Sequence, residues 1–322
     1  MNSDFIDDII KLYGGDTIIG GTMTKWDKEY IKLCKKILDD GVEVENRTGI
    51  NTIKIPSYYL HFDLEEEFPV LTTKQLFFRQ AILEMLWIYQ VKSNDVRWLK
   101  DRNVHIWDEW EIASDGTWRA LQNVPDSNGN IEKKEIVKEF DKKYAHTIGT
   151  AYGYIVNKFN LIDNLIDKIK NNPEDRRMVM SLWQDDYLKT AVLPSCVWSS
   201  EWDVTDGKLN AWVHQRSCDV PLGLPFNVTQ YATLVNMLAK TCGLKPGTLD
   251  WSIKDAHIYV NQVEGIKEQI RRMDELGDFD APTLWLNPDV KNFSDYDNSK
   301  ELKDVKILNY KHHGKIKFPI AQ

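Results

Sequence analysis

Cys196 stands in the run Leu193-Pro194-Ser195-Cys196-Val197, and it is followed by Gln215-Arg216-Ser217-Cys218-Asp219 and then by Pro225-Phe226-Asn227. A cysteine is a strong nucleophile as its thiolate, a guanidinium matches the oxygens of a phosphate, and a carboxamide pairs with the edge of a pyrimidine. The three together point to chemistry on a nucleotide. Each also has a plain reading. Cysteine is among the most buried residue types and packs as a small hydrophobe, and asparagine is a leading helix cap. Arg216 near Cys196 tilts the first choice, because a positive neighbour favours thiolate.

Other side chains extend the set. Arg47, Arg176, Arg177 and Arg216 are candidate phosphate ligands, and Ser217 could add a hydroxyl donor. Adjacent arginines such as Arg176 and Arg177 are more often solvated surface. Glu84 lies in Ala81-Ile82-Leu83-Glu84-Met85-Leu86-Trp87-Ile88, a poor setting for a solvated charge. A carboxyl desolvated there would titrate closer to neutrality and could move protons, whereas on a polar helix stripe with Gln80 it would be an ordinary surface acid. His257 and Tyr259 alternate on an apparent strand and so share one side, for ligand binding or for structural hydrogen bonds.

The elements that must position these residues are legible in outline. Trp26 to Leu38 has Tyr30, Ile31, Leu33, Cys34 and Ile37 at helical spacing. Asn46-Arg47-Thr48-Gly49 reads as a turn, Thr52 to Phe62 as a strand, and Gln75 to Gln90 as an apolar helix. Asn160 to Lys170 is a helix ended by Asn171-Asn172-Pro173, and Met178 to Trp183 is a strand. Asp206-Gly207 predicts a hairpin between strands at 195–204 and 208–217. Simple pairing across it sets Cys196 opposite Ser217 and Val197 opposite Arg216; a β-bulge in either strand would bring thiol and guanidinium to one face. After Pro225, Val228, Tyr231, Val235, Leu238 and Cys242 form the buried stripe of a helix that Gly243 ends. Strand pairs mixed with helices, without regular alternation, predict an α+β fold.

The composition bounds the function classes. A chain of 322 residues, 42% hydrophobic, can bury a large core, and 11% aromatic residues with 12 Trp exclude general disorder. Lys+Arg 41 against Asp+Glu 49 gives a net charge of -8, so no general basic surface advertises nucleic acid, though a few local arginines suffice for one phosphate. The 4 cysteines show no Cys-x-x-Cys spacing, which argues against structural zinc and a disulfide framework. No targeting peptide fits the acidic N-terminus, and no apolar run approaches the ~18 residues of a bilayer span. The expectation is a soluble cytoplasmic protein with no membrane partner and no metal. Residues 1–24 read as an extension and 25–322 as one catalytic domain. Within it, 111–146, with its turn cluster Ser127-Asn128-Gly129-Asn130 and mixed-charge run, reads as an insertion or small peripheral subdomain.

Taken in order, the segments closely resemble the thymidylate synthase family. The matching runs are Asn46 to Gly49, Phe68-Pro69-Val70-Leu71-Thr72-Thr73-Lys74, Glu84 to Trp87, Ile106-Trp107-Asp108-Glu109-Trp110, Tyr152-Gly153, Asp175-Arg176-Arg177, the Cys196 run, Gln215 to Asn227, and Asp255-Ala256-His257-Ile258-Tyr259. The resemblance implies an α+β fold in which a large bent mixed sheet packs on its twin in a homodimer. It also implies reductive methylation of dUMP to dTMP, with 5,10-methylenetetrahydrofolate giving both carbon and hydride.

By that resemblance Cys196 would attack C6 of uracil, Glu84 would organise proton transfers through water, and Tyr152 would assist removal of the C5 proton. Arg47, Arg216 and Ser217 would hold the phosphate together with Arg176 and Arg177 of the other subunit. Asn227 would read the uracil edge, Gln215 and Asp219 would join the dUMP site, and His257 and Tyr259 would bind the deoxyribose hydroxyl. The folate site would comprise Lys74, Ile106, Trp107, Trp110, Asp219, Gly223, Phe226 and Ala321. Val197 stands where most members have His, His214 where Tyr is usual, Gln262 where His is usual, and Gln322 where the closing tail commonly has Val.

Two other readings bear on the same residues. A pyrimidine hydroxymethylase would quench the same intermediate with water, which a large aromatic at Trp107 should exclude. A catalytically inactive nucleotide- or RNA-binding regulator is suggested by the changed tail and by Lys311-His312-His313-Gly314-Lys315, a weak RNA-binding role that the acidic total charge disfavours.

Overall fold

The computed structural model describes residues 24–125 and 131–320. In chain order the elements are α1 (Lys25–Asp40), β1 (Val42–Val44), β2 (Thr52–Asp63), α2 (Phe78–Tyr89), α3 (Val96–Lys100), β3 (Thr117–Pro125), β4 (Ile131–Glu139), α4 (Gly153–Lys158) and α5 (Leu161–Asn171). They continue with β5 (Val179–Ser181), β6 (Val197–Thr205), β7 (Lys208–Gln215), β8 (Cys218–Asp219), α6 (Gly223–Cys242), β9 (Lys245–Tyr259), α7 (Val263–Leu276), β10 (Thr283–Leu286) and β11 (Val305–Leu308).

A seven-stranded sheet runs in the order β1-β2-β9-β7-β6-β5, with β8 also on β9. It is mixed: β7 and β8 run parallel to β9, and the other neighbours are antiparallel. The parallel step arises because α6 intervenes between β8 and β9 and returns the chain in the same direction. This is the expected α+β architecture with a mixed sheet packed by helices.

The centre of the molecule is α6. Its apolar residues are buried on nearly all sides, Val228, Ala232, Leu234, Val235, Met237 and Leu238 among them, because α2 packs on one flank and β7 and β9 on another. The predicted stripe was too narrow, and Cys242 at its end is only half-buried. Gly243 closes the helix in the left-handed region (φ 72). The helix begins two residues before Pro225, which sits in the first turn where its missing N–H costs nothing.

Thr24, which the sequence placed in the extension, is the N-cap of α1, its Oγ1 accepting from the Asp27 backbone N–H at 3.0 Å. Asp27 is a buried carboxylate that collects donors: Thr24 Oγ1 (2.7 Å), Thr72 N and Oγ1 (both 2.8 Å), and Thr73 N (3.1 Å) and Oγ1 (2.6 Å). The Thr72-Thr73 pair is thus held to α1 by charge-assisted bonds rather than aimed at a ligand. The expected extension otherwise falls on residues outside those described.

β3 and β4 form a separate two-stranded antiparallel sheet that, among the described residues, pairs with no strand of the central one. A small cluster of its own, Ile112, Trp118, Ala120 and Val192, seats it. Among the described residues no helix is long and apolar enough to cross a membrane, and no group of His, Cys, Asp and Glu is arranged to hold a metal ion.

Candidate active site

The hairpin at Asp206-Gly207 forms as the dipeptide demands, with both residues at positive φ (51 and 70), the conformation of a tight two-residue hairpin turn. Pairing keeps the simple register from Thr205↔Lys208 up to Ser199↔His214, then slips, so that Val197 faces Gln215. The extra residue is Trp198. This bulge corrects the simple expectation: Arg216 stands across from Cys196, its backbone N–H donating to the Cys196 carbonyl at 2.9 Å. Arg216 Nη2 comes within 3.9 Å of Cys196 Sγ. The guanidinium is fixed by Nε on the Ser195 carbonyl (3.0 Å) and Nη2 on the Pro194 carbonyl (2.6 Å), and it lies 5.4 Å over the Trp183 ring.

Cys196 opens on a cavity of about 160 Å³ whose walls include Glu84, Trp107, Tyr152, Val197, Gln215, Ser217, Asp219, Gly223, Asn227 and Gln230. The nucleophile candidate, the carboxyl candidate and the base-reading candidate therefore share one space. Burial pushes the Cys196 thiol above its ordinary value, and the charges of Arg216 and Arg47 and the hydroxyl of Tyr152 offset this only in part. Arg216 thus acts in the expected direction, toward thiolate, but desolvation outweighs it and favours the thiol at rest.

Glu84 is the opposite case, where the structure decides between two open readings. It projects from α2 into the cavity, and burial raises its carboxyl to about 7 despite hydrogen bonds from Trp107 and Gln230 that favour the carboxylate. Trp107 Nε1 donates to Oε1 at 2.7 Å and Gln230 Nε2 to Oε2 at 2.6 Å. A carboxyl poised near neutrality can both take and give a proton. Trp107 in turn packs edge-on against Tyr152 (5.3 Å) and Trp110 (5.5 Å), giving the cavity an aromatic wall.

Tyr152 enters α4 through a strained backbone (φ 47, ψ -109), and its hydroxyl accepts from the Cys196 backbone N–H at 3.0 Å. Gly153 is required beside it, since a Cβ there would lie 1.9 Å from the Ser93 carbonyl oxygen. Asn227 is held on both sides. Gln215 Nε2 donates to its Oδ1 at 3.3 Å, and its Nδ2 donates to Gln230 Oε1 at 3.2 Å. Gly223, one turn earlier on α6, leaves the cavity side of Asn227 open, a Cβ there coming only to 3.7 Å of Oδ1.

Asp219 accepts from the Leu222 N–H (3.0 Å) and from Gln262 Nε2 (3.2 Å), and burial raises its carboxyl. Gln262 also donates to the Pro319 carbonyl at 3.0 Å, so it ties Asp219 to the C-terminal segment. His257 pairs with Asp219 in the β8–β9 register, and its ring meets that of Tyr259 at 5.3 Å, on the shared side the alternation predicted. Neither lines the cavity itself. Arg47 is exposed in the Asn46–Ile50 turn, which Asn46 shapes by accepting from Thr48 N (2.9 Å) and donating to the Ile50 carbonyl (2.6 Å).

Some expected site residues are not brought to this space. Arg176 and Arg177 are exposed on the loop between α5 and β5, Arg177 paired with Asp175 at 2.8 Å, and neither lines the cavity of its own chain. Lys74 is buried, bonded to the Pro221 carbonyl and covered by the Phe318 ring at 4.7 Å; burial draws its amine down to about 8. Ile106, Trp110 and Phe226 are partly buried against the core near the cavity without lining it, and Ala321 lies outside the described residues. His214 is on the outer face of the sheet, stacked on Trp212. Gln230 was missed altogether. Its spacing, three residues after Asn227 on a predicted helix, was the available signal.

Comparison with known proteins gives the same reading by an independent route. The thymidylate synthase family model matches residues 28–322. A thymidylate synthase of Clostridium beijerinckii is 44% identical over 299 residues, covering 93% of this chain and 100% of that protein. Thymidylate synthase 1 of Bacillus subtilis is 36% identical over 318 residues with the same coverage. Among solved structures, the thermostable thymidylate synthase A from Bacillus subtilis superposes with a TM-score of 0.76 at 35% identity, covering 93% of this chain and 100% of that one. With the thiol, the tuned carboxyl and the held carboxamide already in one cavity, the chain belongs to the thymidylate synthase family.

Proposed function

We infer that this chain carries out the reaction of its family, the reductive methylation of dUMP to dTMP, with 5,10-methylenetetrahydrofolate as co-substrate. The observation that carries this reading is the shared cavity: Cys196, Glu84 and Asn227 face one space beside an aromatic wall. In it Cys196 Sγ adds to C6 of the uracil ring, which makes C5 nucleophilic toward the folate methylene. Because the resting residue is a thiol, its proton must leave as the bond forms. Arg216, 3.9 Å from Sγ, stabilises the sulfur's charge during that step.

Arg216, Arg47 and Ser217 bind the phosphate, Asn227 pairs with the uracil edge, Gln215 orients Asn227, and His257 with Tyr259 meets the deoxyribose hydroxyl. Glu84 transfers protons near neutral pH, and Tyr152 takes part in removing the proton from C5. Trp107, fixed on the cavity wall by its bond to Glu84, keeps water from the exocyclic methylene in this reading, which favours methyl over hydroxymethyl as product. Trp110, Ile106, Gly223, Phe226 and Asp219 form the folate side. Lys74 lies behind them, buried under Phe318.

The family is dimeric. The outer face of the central sheet carries a contiguous row, the exposed Tyr59, Trp212 and Trp198 with the half-buried His214 between the two tryptophans, whose rings pack on one another at 5.6–6.3 Å. That face supports sheet-to-sheet association with a second copy, which would bring Arg176 and Arg177 to the partner's phosphate site. A weak RNA-binding role has less support, because His313 is spent on the Gly277 carbonyl (2.7 Å) and His312 packs on Tyr310. Incubation with dUMP and methylenetetrahydrofolate is expected to yield equal amounts of dTMP and dihydrofolate, read by mass spectrometry and absorbance. Hydroxymethyl-dUMP without dihydrofolate would sink the reading.

A further inference from the structure

Gln230 has no part in the roles just assigned, yet it touches two of the groups that do. Its side-chain nitrogen donates to the Ala81 carbonyl (3.0 Å) and to Glu84 Oε2 (2.6 Å). A backbone carbonyl only accepts, so the amide nitrogen must face α2 and the amide oxygen must face Asn227, where Nδ2 meets it at 3.2 Å. On the other side Trp251 Nε1, which can only donate, bonds Gln215 Oε1 at 2.9 Å. This turns the Gln215 nitrogen to Asn227 Oδ1 at 3.3 Å.

The row from Trp251 through Gln215, Asn227 and Gln230 to Glu84 therefore has one direction, fixed at both ends by groups that cannot reverse. Were Asn227 to flip, it would set donor against donor toward Gln215 and acceptor against acceptor toward Gln230. Val197, on the same wall, has no side-chain polar atom with which to link Asn227 and Glu84.

We propose that Gln230 is a positioning residue that fixes the amide polarity of Asn227, and so the preference for a uracil over a cytosine edge, while tying that same amide to Glu84. The proposal rests on the reading in which Asn227 meets the base and Glu84 moves protons. A uracil edge offers a donor at N3 and an acceptor at O4, and a cytosine edge the reverse. Asn227 keeps one Nδ2 hydrogen and one Oδ1 lone pair free, in the order that suits uracil.

Two near-isosteric variants separate this role from packing. Gln230→Met keeps the bulk and loses both amide functions. Gln230→Glu keeps an oxygen toward Asn227 and loses the amide donor to Glu84. In equilibrium binding to the folded variants, the ratio of dUMP to dCMP affinity is expected to fall about tenfold in Gln230→Met and to stay near wild type in Gln230→Glu. In both, the limb of the kcat–pH profile set by Glu84 is expected to move up, by about one pH unit in Gln230→Met, where a donor to the carboxylate is gone, and by more in Gln230→Glu, where a second carboxyl also faces it. Glu84→Gln, in which that limb disappears, identifies it. The other titratable groups on the cavity are Tyr89, Tyr152, Tyr231, Cys196 and Asp219, with the charge of Arg216 beside them.

An unchanged affinity ratio and an unmoved limb in folded Gln230→Met overturn the proposal, as does an equal loss of base preference in both variants with the limb unmoved. If Gln230→Met does not fold, a Gln230→Glu protein with its limb unmoved overturns it alone. Failure of the underlying reading looks different, for Asn227→Ala would then bind dUMP as tightly as wild type.

Discussion

At the scale of single residues, two side chains are set by the same physical effect in opposite service. Removal from water holds Cys196 as a thiol and lifts Glu84 to about 7, because in both the charged form loses hydration that neighbouring donors replace only in part. Cys196→Ser is expected to abolish dTMP formation while leaving dUMP affinity within about threefold, since the phosphate and base contacts lie elsewhere; retained turnover would refute the nucleophile. Glu84→Gln should lower kcat by about 10²-fold or more. The same shift bears on stability. The folded state holds the Glu84 proton up to about 7 whereas an unfolded glutamate releases it near 4.5, so stability is lost as pH rises across that window. Relative to wild type, Glu84→Gln should therefore gain thermal stability from pH 4 to pH 8, a trend that melting curves across the range would check.

At the scale of elements, the site depends on irregularities more than on regular structure. A regular β6–β7 ladder would have put Arg216 across from Val197; the extra residue at Trp198 puts it across from Cys196. The strained entry to α4 aims Tyr152 at Cys196, and it persists because Gly153 fits against the Ser93 backbone. Gly153→Ala is accordingly expected to cost most of the activity along with stability, more than the few tenths of a kcal/mol usual for a surface glycine replaced by alanine. Asp27→Ala would strand the hydroxyls of Thr72 and Thr73 and should destabilise the protein by about 3 kcal/mol in denaturant unfolding. Loss there would act at a distance, since Lys74 follows directly from that segment and is covered by Phe318.

At the scale of the whole molecule, one chain's cavity gathers the candidate reacting groups Cys196, Glu84 and Asn227 and leaves Arg176 and Arg177 outside it, while aromatic residues of the sheet's outer face stay exposed. The sheet-to-sheet pairing proposed above would account for both. Trp212→Asp is expected to shift the protein toward monomer in sedimentation velocity and to lower activity in parallel as concentration falls. Mixing two inactive proteins, Cys196→Ser and Arg176→Ala with Arg177→Ala, under subunit exchange should restore part of the activity, because a mixed dimer holds one site with an intact thiol and intact partner arginines. No recovery with exchange demonstrated would place the phosphate wholly within one chain.

What the sequence determined by itself is local or periodic. The left-handed Asp206-Gly207 turn, the α1 face from Tyr30 to Ile37, the shared side of His257 and Tyr259, and the ordered motifs of the family all follow from spacing and residue type. What the tertiary structure alone decided depends on distant groups meeting. The protonation of Cys196 and Glu84 turns on desolvation by several elements, the register of Arg216 on the bulge at Trp198, and the amide orientation of Gln230 on a backbone carbonyl of α2 that no sequence pattern places beside α6. Hydration and hydrogen-bond polarity are set by whatever fills the space around a group, and that space is a product of packing.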